Sequence, residues 1–271
     1  MRTQSKKNNT ERVPSSTALL KNDNHHNYTT VQIALVGDSD ISRWPSSLLP
    51  DLDKICLPNI SNDIEQNHAH HLILPPINVG VSGATLDEVP SQIQTVYDRL
   101  DQMNRDNSNT TEGPHILIFV ACAGENDVSS GVSIEKATLH FENSIDSIFL
   151  DQGNEKNMER RLIFISPKLE PWLTHDFCSR KIYHKLTKSM NRAINRNLHA
   201  SLIRYIDCLT MFCGESANVP GAIQGNRAMP EQRFFNDDGL HLSEEGYALW
   251  KDAVEKCIID MNLLSNRREQ L

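Results

Sequence analysis

The run His115 to Ala123, HILIFVACA, constrains the fold more tightly than any other stretch of this chain. Nearly every residue in it is apolar, so a strand built from it has no face to offer water. Strands of that kind sit in the middle of parallel sheets, where helices cover both faces. A second such run, Val31 to Val36, has five apolar residues in six and ends in Gly37-Asp38-Ser39. Strand patterns also read at Ile77–Val81, Arg161–Ser166 and Leu202–Asp207. Helical patterns lie between and after them. Asp40–Leu49 carries Trp44 and Leu48 at helical spacing, and Leu86–Met103 follows a capping box of Thr85 and Glu88. Ser133 caps a helix to Leu150 that carries Leu139, Ile145, Ile148 and Phe149. Cys178–Leu198 carries Ile182, Leu186, Met190, Ala193 and Ile194. Ser243–Met261 carries Leu249, Trp250, Val254 and Ile258. Strand and helix alternate five times, which gives an α/β chain: a three-layer sandwich around an open five-stranded parallel sheet.

In such sheets ligands bind beyond the carboxyl ends of the strands. Three polar turns fall there: Gly37-Asp38-Ser39, Ser82-Gly83-Ala84 and Gly124-Glu125-Asn126-Asp127. Ser39 starts a helix, so its own amide is unpaired and points where an oxyanion could sit. Taken alone, Gly-Asp-Ser is also an ordinary turn, and it does not match the G-x-S-x-G elbow. Gly83 lets an amide approach a substrate oxygen with no Cβ in the way, or simply opens a helix. Asn126 has a side-chain amide suited to a developing oxyanion, or to capping its own loop. Near the other end, Asp238 and His241 stand three residues apart between a long loop and the last helix. The imidazole can take a serine proton and return it to a leaving group, with Asp238 on the other ring nitrogen. Asp237 is a competing partner at the less favourable spacing.

The 271 residues carry a net charge of −8, which argues against a general nucleic-acid or anionic-membrane surface. No apolar run approaches the roughly 20 residues of a membrane span. Residues 1–28 are polar and read as a disordered tail ahead of a domain at 29–265. The tail lacks a secretory apolar core, and a cytoplasmic location is expected, with organelle targeting by the tail left open. Pro50–Pro76 reads as a surface loop or insertion. Its His68-Ala69-His70-His71 cluster has no cysteine or carboxylate at a ligand spacing, so no metal is expected there. The six cysteines include no C-x-x-C pair, and Cys122 reads as a buried reduced thiol.

The four blocks occur together and in order: Gly37-Asp38-Ser39, Gly83, Gly124-Glu125-Asn126-Asp127 and Asp238-Gly239-Leu240-His241. In that combination they resemble the SGNH, or GDSL-type, hydrolases over roughly Val31 to Met261. The segment Gly239-Leu240-His241-Leu242-Ser243-x-x-Gly246-Tyr247-x-x-Trp250 is similar to the subset related to platelet-activating-factor acetylhydrolase and bacterial acyl-esterases. The resemblance implies a flavodoxin-like α/β/α fold and a serine esterase acting on small-molecule carboxylic esters. It implies Ser39 as nucleophile, His241 as base and Asp238 as its orienting acid. The oxyanion donors would be the Ser39 and Gly83 amides and the Asn126 side chain, with no metal or organic cofactor. An acyltransferase in which an alcohol replaces water, and a non-catalytic ligand-binding relative, are the alternatives. Short acyl groups are expected, because no apolar lid is evident; Trp172 and Phe212 either line an acyl site or pack. One departure is Asp40, where many relatives carry leucine. A carboxylate there either disfavours acyl chains or faces solvent in a first helical turn.

Overall fold

A computed structural model describes residues 29–56, 71–106, 114–150, 158–171, 177–213 and 229–261. Strand β1, Thr29–Gly37, is buried along its whole length. It pairs in parallel with β4, Ile116–Cys122, which is likewise buried throughout. Strand β5, Glu159–Ile165, lies beside β4, and β6, Ile203–Ile206, beside β5. On the other side of β1, two short strands share one edge. β2, His71–Ile73, pairs with Thr29–Val31, and β3, Ile77–Asn78, pairs with Ala34 and Leu35. The order β2-β1-β4-β5-β6, all parallel, is the flavodoxin-like arrangement.

The expected second strand, Ile77–Val81, is therefore replaced by two pieces around Leu74-Pro75-Pro76. Proline cannot donate to a ladder, so the edge strand breaks there. Beyond β3 the backbone still follows β1, with Val79 and Val81 donating to the carbonyls of Leu35 and Gly37. The Pro50–Pro76 segment is also more regular than a loop at its ends, since it contains α2, Leu52–Cys56, as well as β2. His68 and His70 lie outside the described residues, as do the 1–28 tail and Trp172.

Helices α3 (Val89–Asp106), α5 (Ile134–Phe149) and α6 (Phe177–Arg196) cover one face of the sheet, over Ala34, Val36, Leu117, Phe119 and Leu162. The other face, with Val31, Ile33, Leu35, Ile118 and Ile163, is covered mainly by α1 (Ser39–Arg43) and α8 (Glu244–Asp260). Alternate side chains of each strand thus enter different cores, and that explains why the central strands must be apolar on both faces. Phe212, after the short helix α7 (Cys208–Met211), packs on Phe234 and Phe235 inside the second core, which settles its role as packing.

Several helix limits differ from expectation. α1 stops at Arg43 because Trp44 precedes Pro45 and takes an extended conformation. A separate turn of 3₁₀ helix, Ser46–Leu48, follows, and the Trp44 indole donates to the Leu48 carbonyl. α3 begins at Val89. Glu88 accepts the Thr85 amide, one half of the expected box, while the Thr85 hydroxyl turns to Asp87 and Glu88. Leu139 and Ile182 are exposed. The inner stripe of α5 runs through Ala137, Phe141, Ile145 and Ile148, and that of α6 through Tyr183, Leu186 and Met190.

Candidate active site

The sheet register sets the site. Gly37, Cys122, Ile165 and Ile206 pair across four strands, so those strands end level with one another. The residues that follow each end therefore share one edge: Asp38-Ser39 after β1, Gly124-Glu125-Asn126 after β4 and Ser166-Pro167-Lys168 after β5.

Gly37 turns the chain out of β1 with φ +139°, and a Cβ there would lie 1.9 Å from the Cys122 carbonyl oxygen. Only glycine fits that approach. Gln92 of α3 grips the same residue from the other side, its carbonyl accepting the Gly37 amide at 2.6 Å and its amide donating to the Gly37 oxygen at 3.0 Å. Asp38 is the N-cap of α1 and accepts the Asp40 amide at 3.1 Å. The carboxyl of Asp38 is buried, and burial with the neighbouring Asp40 charge pushes it up to about 7. Ser39 is half-exposed at the start of α1.

The Gly83 and Asn126 turns are tied together. The Asn126 side-chain amide donates to the Ala84 carbonyl at 2.9 Å, and buried Asp127 accepts the Leu86 amide at 2.9 Å. Gly83 has φ +82°, and nothing lies within 4 Å of where a Cβ would stand. The glycine is there for its left-handed backbone rather than for crowding. An amide nitrogen carries two protons, so one N–H of Asn126 is committed to Ala84 and the other is available.

His241 sits in a tight turn closed by an antiparallel bridge between Phe235 and Leu242 and by the Asn236 amide donating to the His241 carbonyl. Its Nδ1 lies 2.7 Å from Asp238 Oδ2. Asp238 Oδ1 accepts the amides of Leu240 and His241 at 2.8 and 3.0 Å. The bond to the imidazole and those two amide bonds hold the Asp238 carboxyl well below the usual aspartate range. Asp238, not Asp237, is therefore the partner of the ring. The ring itself is nearly buried, while Asp238 is half-exposed.

The serine and histidine segments meet through Asp40. Its Oδ1 accepts the Leu242 amide at 3.2 Å, and its carbonyl accepts the Tyr247 hydroxyl at 3.0 Å. The hydroxyl of Ser39 hydrogen-bonds none of the described residues, His241 included. The structure thus joins the two segments and bonds Asp238 to the His241 ring, without a Ser39–His241 hydrogen bond.

Asp40 corrects the sequence expectation. It is 1% exposed, not solvent-facing, and its Oδ2 lies 2.6 Å from the Nζ of Lys168. The same ammonium lies 2.7 Å from Glu125 Oε2, and the Lys168 amide donates to Glu125 Oε1 at 2.9 Å. Glu170 lies in the same field and accepts the Tyr183 hydroxyl at 3.2 Å. Burial works against the Lys168 charge, but Asp40 and Glu125 outweigh it and hold the ammonium well above the ordinary lysine range. Burial raises Glu125 and Glu170. One ammonium thus faces four carboxyls, in contact with Asp40 and Glu125 and within the field of Asp38 and Glu170. Lys168 and Gln92 carry no sequence signal of their own, and Glu125 stands out only as a member of the Gly124-Glu125-Asn126-Asp127 turn. One signal was legible: Asp38, Asp40, Glu125 and Glu170 all follow strand ends, and so many acids on one edge call for a cation.

No protein-family model matches the chain, and no curated protein matches it. Solved structures do. A member of the lipolytic G-D-S-L family from Veillonella parvula is 15% identical, with 86% of this chain and all of that one covered, at a TM-score of 0.50. A provisionally named platelet activating factor from Streptococcus pneumonia is 12% identical over 83% of each chain, also at 0.50. Both share its fold over 83% or more of their own length, and the chain has the SGNH, or GDSL-type, hydrolase fold.

Proposed function

We propose that this chain is a serine esterase that hydrolyses small-molecule carboxylic esters through an acyl-enzyme. His241 removes the proton from Ser39 as its hydroxyl attacks the ester carbonyl. The carbonyl oxygen becomes an oxyanion, stabilised by the amides of Ser39 and Gly83 and the second N–H of Asn126. Collapse expels the alcohol, which takes the proton from His241. Water, deprotonated by the same imidazole, then attacks the acyl-serine and releases the acid. Asp238 stays ionised throughout, fixes the tautomer with the proton on Nδ1 and stabilises the imidazolium.

The observation that carries this reading is the 2.7 Å bond between Asp238 and His241 on a turn whose next amide is fastened to Asp40, the neighbour of Ser39. Hydrolase sites without substrate often hold the serine–histidine contact long or misaligned and tighten it on binding. The proposed substrates are esters of short acyl groups. Turnover of p-nitrophenyl acetate tests the proposal: wild type is expected to hydrolyse it and Ser39→Ala to lose that activity. Equal rates, or no turnover by wild type across a series of acyl lengths and acetylated sugars, would overturn it.

A further inference from the structure

The buried ammonium of Lys168 has a placement that stability alone does not explain. A buried ion pair is often no more stabilising than apolar residues of the same volume. Yet Lys168 is fully buried, and its partners use both oxygens of each carboxylate. Glu125 takes the Lys168 amide on one oxygen and the ammonium on the other. Asp40 takes the ammonium on Oδ2 and the Leu242 amide on Oδ1. Each contact falls one residue from a group that the proposed chemistry needs. Asp40 follows Ser39, Glu125 precedes Asn126, and Leu242 follows His241.

We infer that Lys168 is a positioning residue, a single buried cation clamped between Asp40 and Glu125 that sets the spacing of the serine, asparagine and histidine segments. The inference rests on the esterase reading above. The three segments come from β1, β4 and the turn before α8, and no covalent link shorter than tens of residues joins them. The clamp supplies that link at the strand ends, with two charged contacts of 2.6 and 2.7 Å. It fixes geometry without touching substrate, so its loss acts on the chemical step more than on binding.

The test compares full-length wild type with Lys168→Met, Asp40→Asn and the double variant, measuring kcat and KM for p-nitrophenyl acetate together with the thermal midpoint. Lys168→Met is expected to lower kcat by about 10- to 100-fold, the cost of small misplacements in an active site, while KM changes by no more than about two-fold. The double variant is expected to lose no more than Lys168→Met alone, since both changes open one clamp. A folded Lys168→Met with wild-type kcat overturns the inference, and so do losses that simply multiply. If Lys168→Met does not fold, Glu125→Gln takes its place. It keeps an acceptor for the Lys168 amide and removes one charge, and a kcat loss of about 3- to 10-fold at unchanged KM is expected. An unchanged kcat in that variant also overturns the inference. Ser39→Ala measured in parallel separates the two readings. Turnover that does not depend on Ser39 removes the esterase reading and this one with it. Ser39-dependent turnover with an intact kcat in Lys168→Met removes the clamp alone.

Discussion

Asp238 shows how much of the candidate chemistry rests on single hydrogen bonds. Its two oxygens divide the work, one taking the backbone of the turn and the other the imidazole. Asp238→Asn keeps an acceptor for the Leu240 and His241 amides but removes the charge that favours the imidazolium. Its kcat is expected to fall by about 100-fold or more, with little change in thermal midpoint, because the side chain is half-exposed. Steady-state kinetics beside a melting curve check both halves. Asn126 donates to Ala84 with one N–H and is assigned the oxyanion with the other. Asn126→Ala is expected to retain measurable turnover while kcat drops by about 10²- to 10³-fold. A loss of less than about five-fold would remove it from the oxyanion donors.

Among the elements, β1 and the turn that ends it carry the most constraint. Gly37 is pressed against Cys122 on β4 and gripped by Gln92 from α3, so three elements meet at one glycine. Gly37→Ala would drive a methyl group into the Cys122 carbonyl in a backbone region that L-residues avoid. A loss of about 3 kcal/mol or more in chemical denaturation is expected. The central strands were legible in the sequence because burial on both faces leaves an unmistakable apolar signature, as in HILIFVACA. Edges and ends were not. Two adjacent prolines broke the second strand in a way that its apolar residues did not announce, and Pro45 ended α1 where helical spacing of Trp44 and Leu48 suggested continuation. The side chains of Asp238, His241 and Asn126 could be placed at one edge because their spacing follows turns and strand ends. Lys168 could not, since its partners are 128 and 43 positions away and only the register brings them level.

For the molecule as a whole, the buried acids at the strand ends give stability a distinct pH dependence. Asp38 titrates near 7 in the folded chain and near 4 when unfolded, so the folded state binds the extra proton between those limits. Stability linked to this group is fully present below about pH 4 and is lost as pH rises toward 7. Asp238 acts in the opposite sense and in a lower window, adding stability above the ordinary aspartate range and losing it below, but with small amplitude because the half-exposed side chain is screened by solvent. Asp38→Asn keeps the cap on the Asp40 amide and removes the titration. It is expected to gain on wild type by up to about 4 kcal/mol between pH 4.5 and 7.5 in denaturant titrations, and a difference independent of pH would contradict the assignment. The central claim is narrower than any of these: the hydroxyl at the end of β1 becomes covalently acylated. Intact-mass and peptide mapping after treatment with a fluorophosphonate tests it most directly. One adduct per chain on the peptide containing Ser39, absent from Ser39→Ala, is the expected result. An adduct on any other residue, or none on an enzyme that turns over p-nitrophenyl acetate, would contradict it.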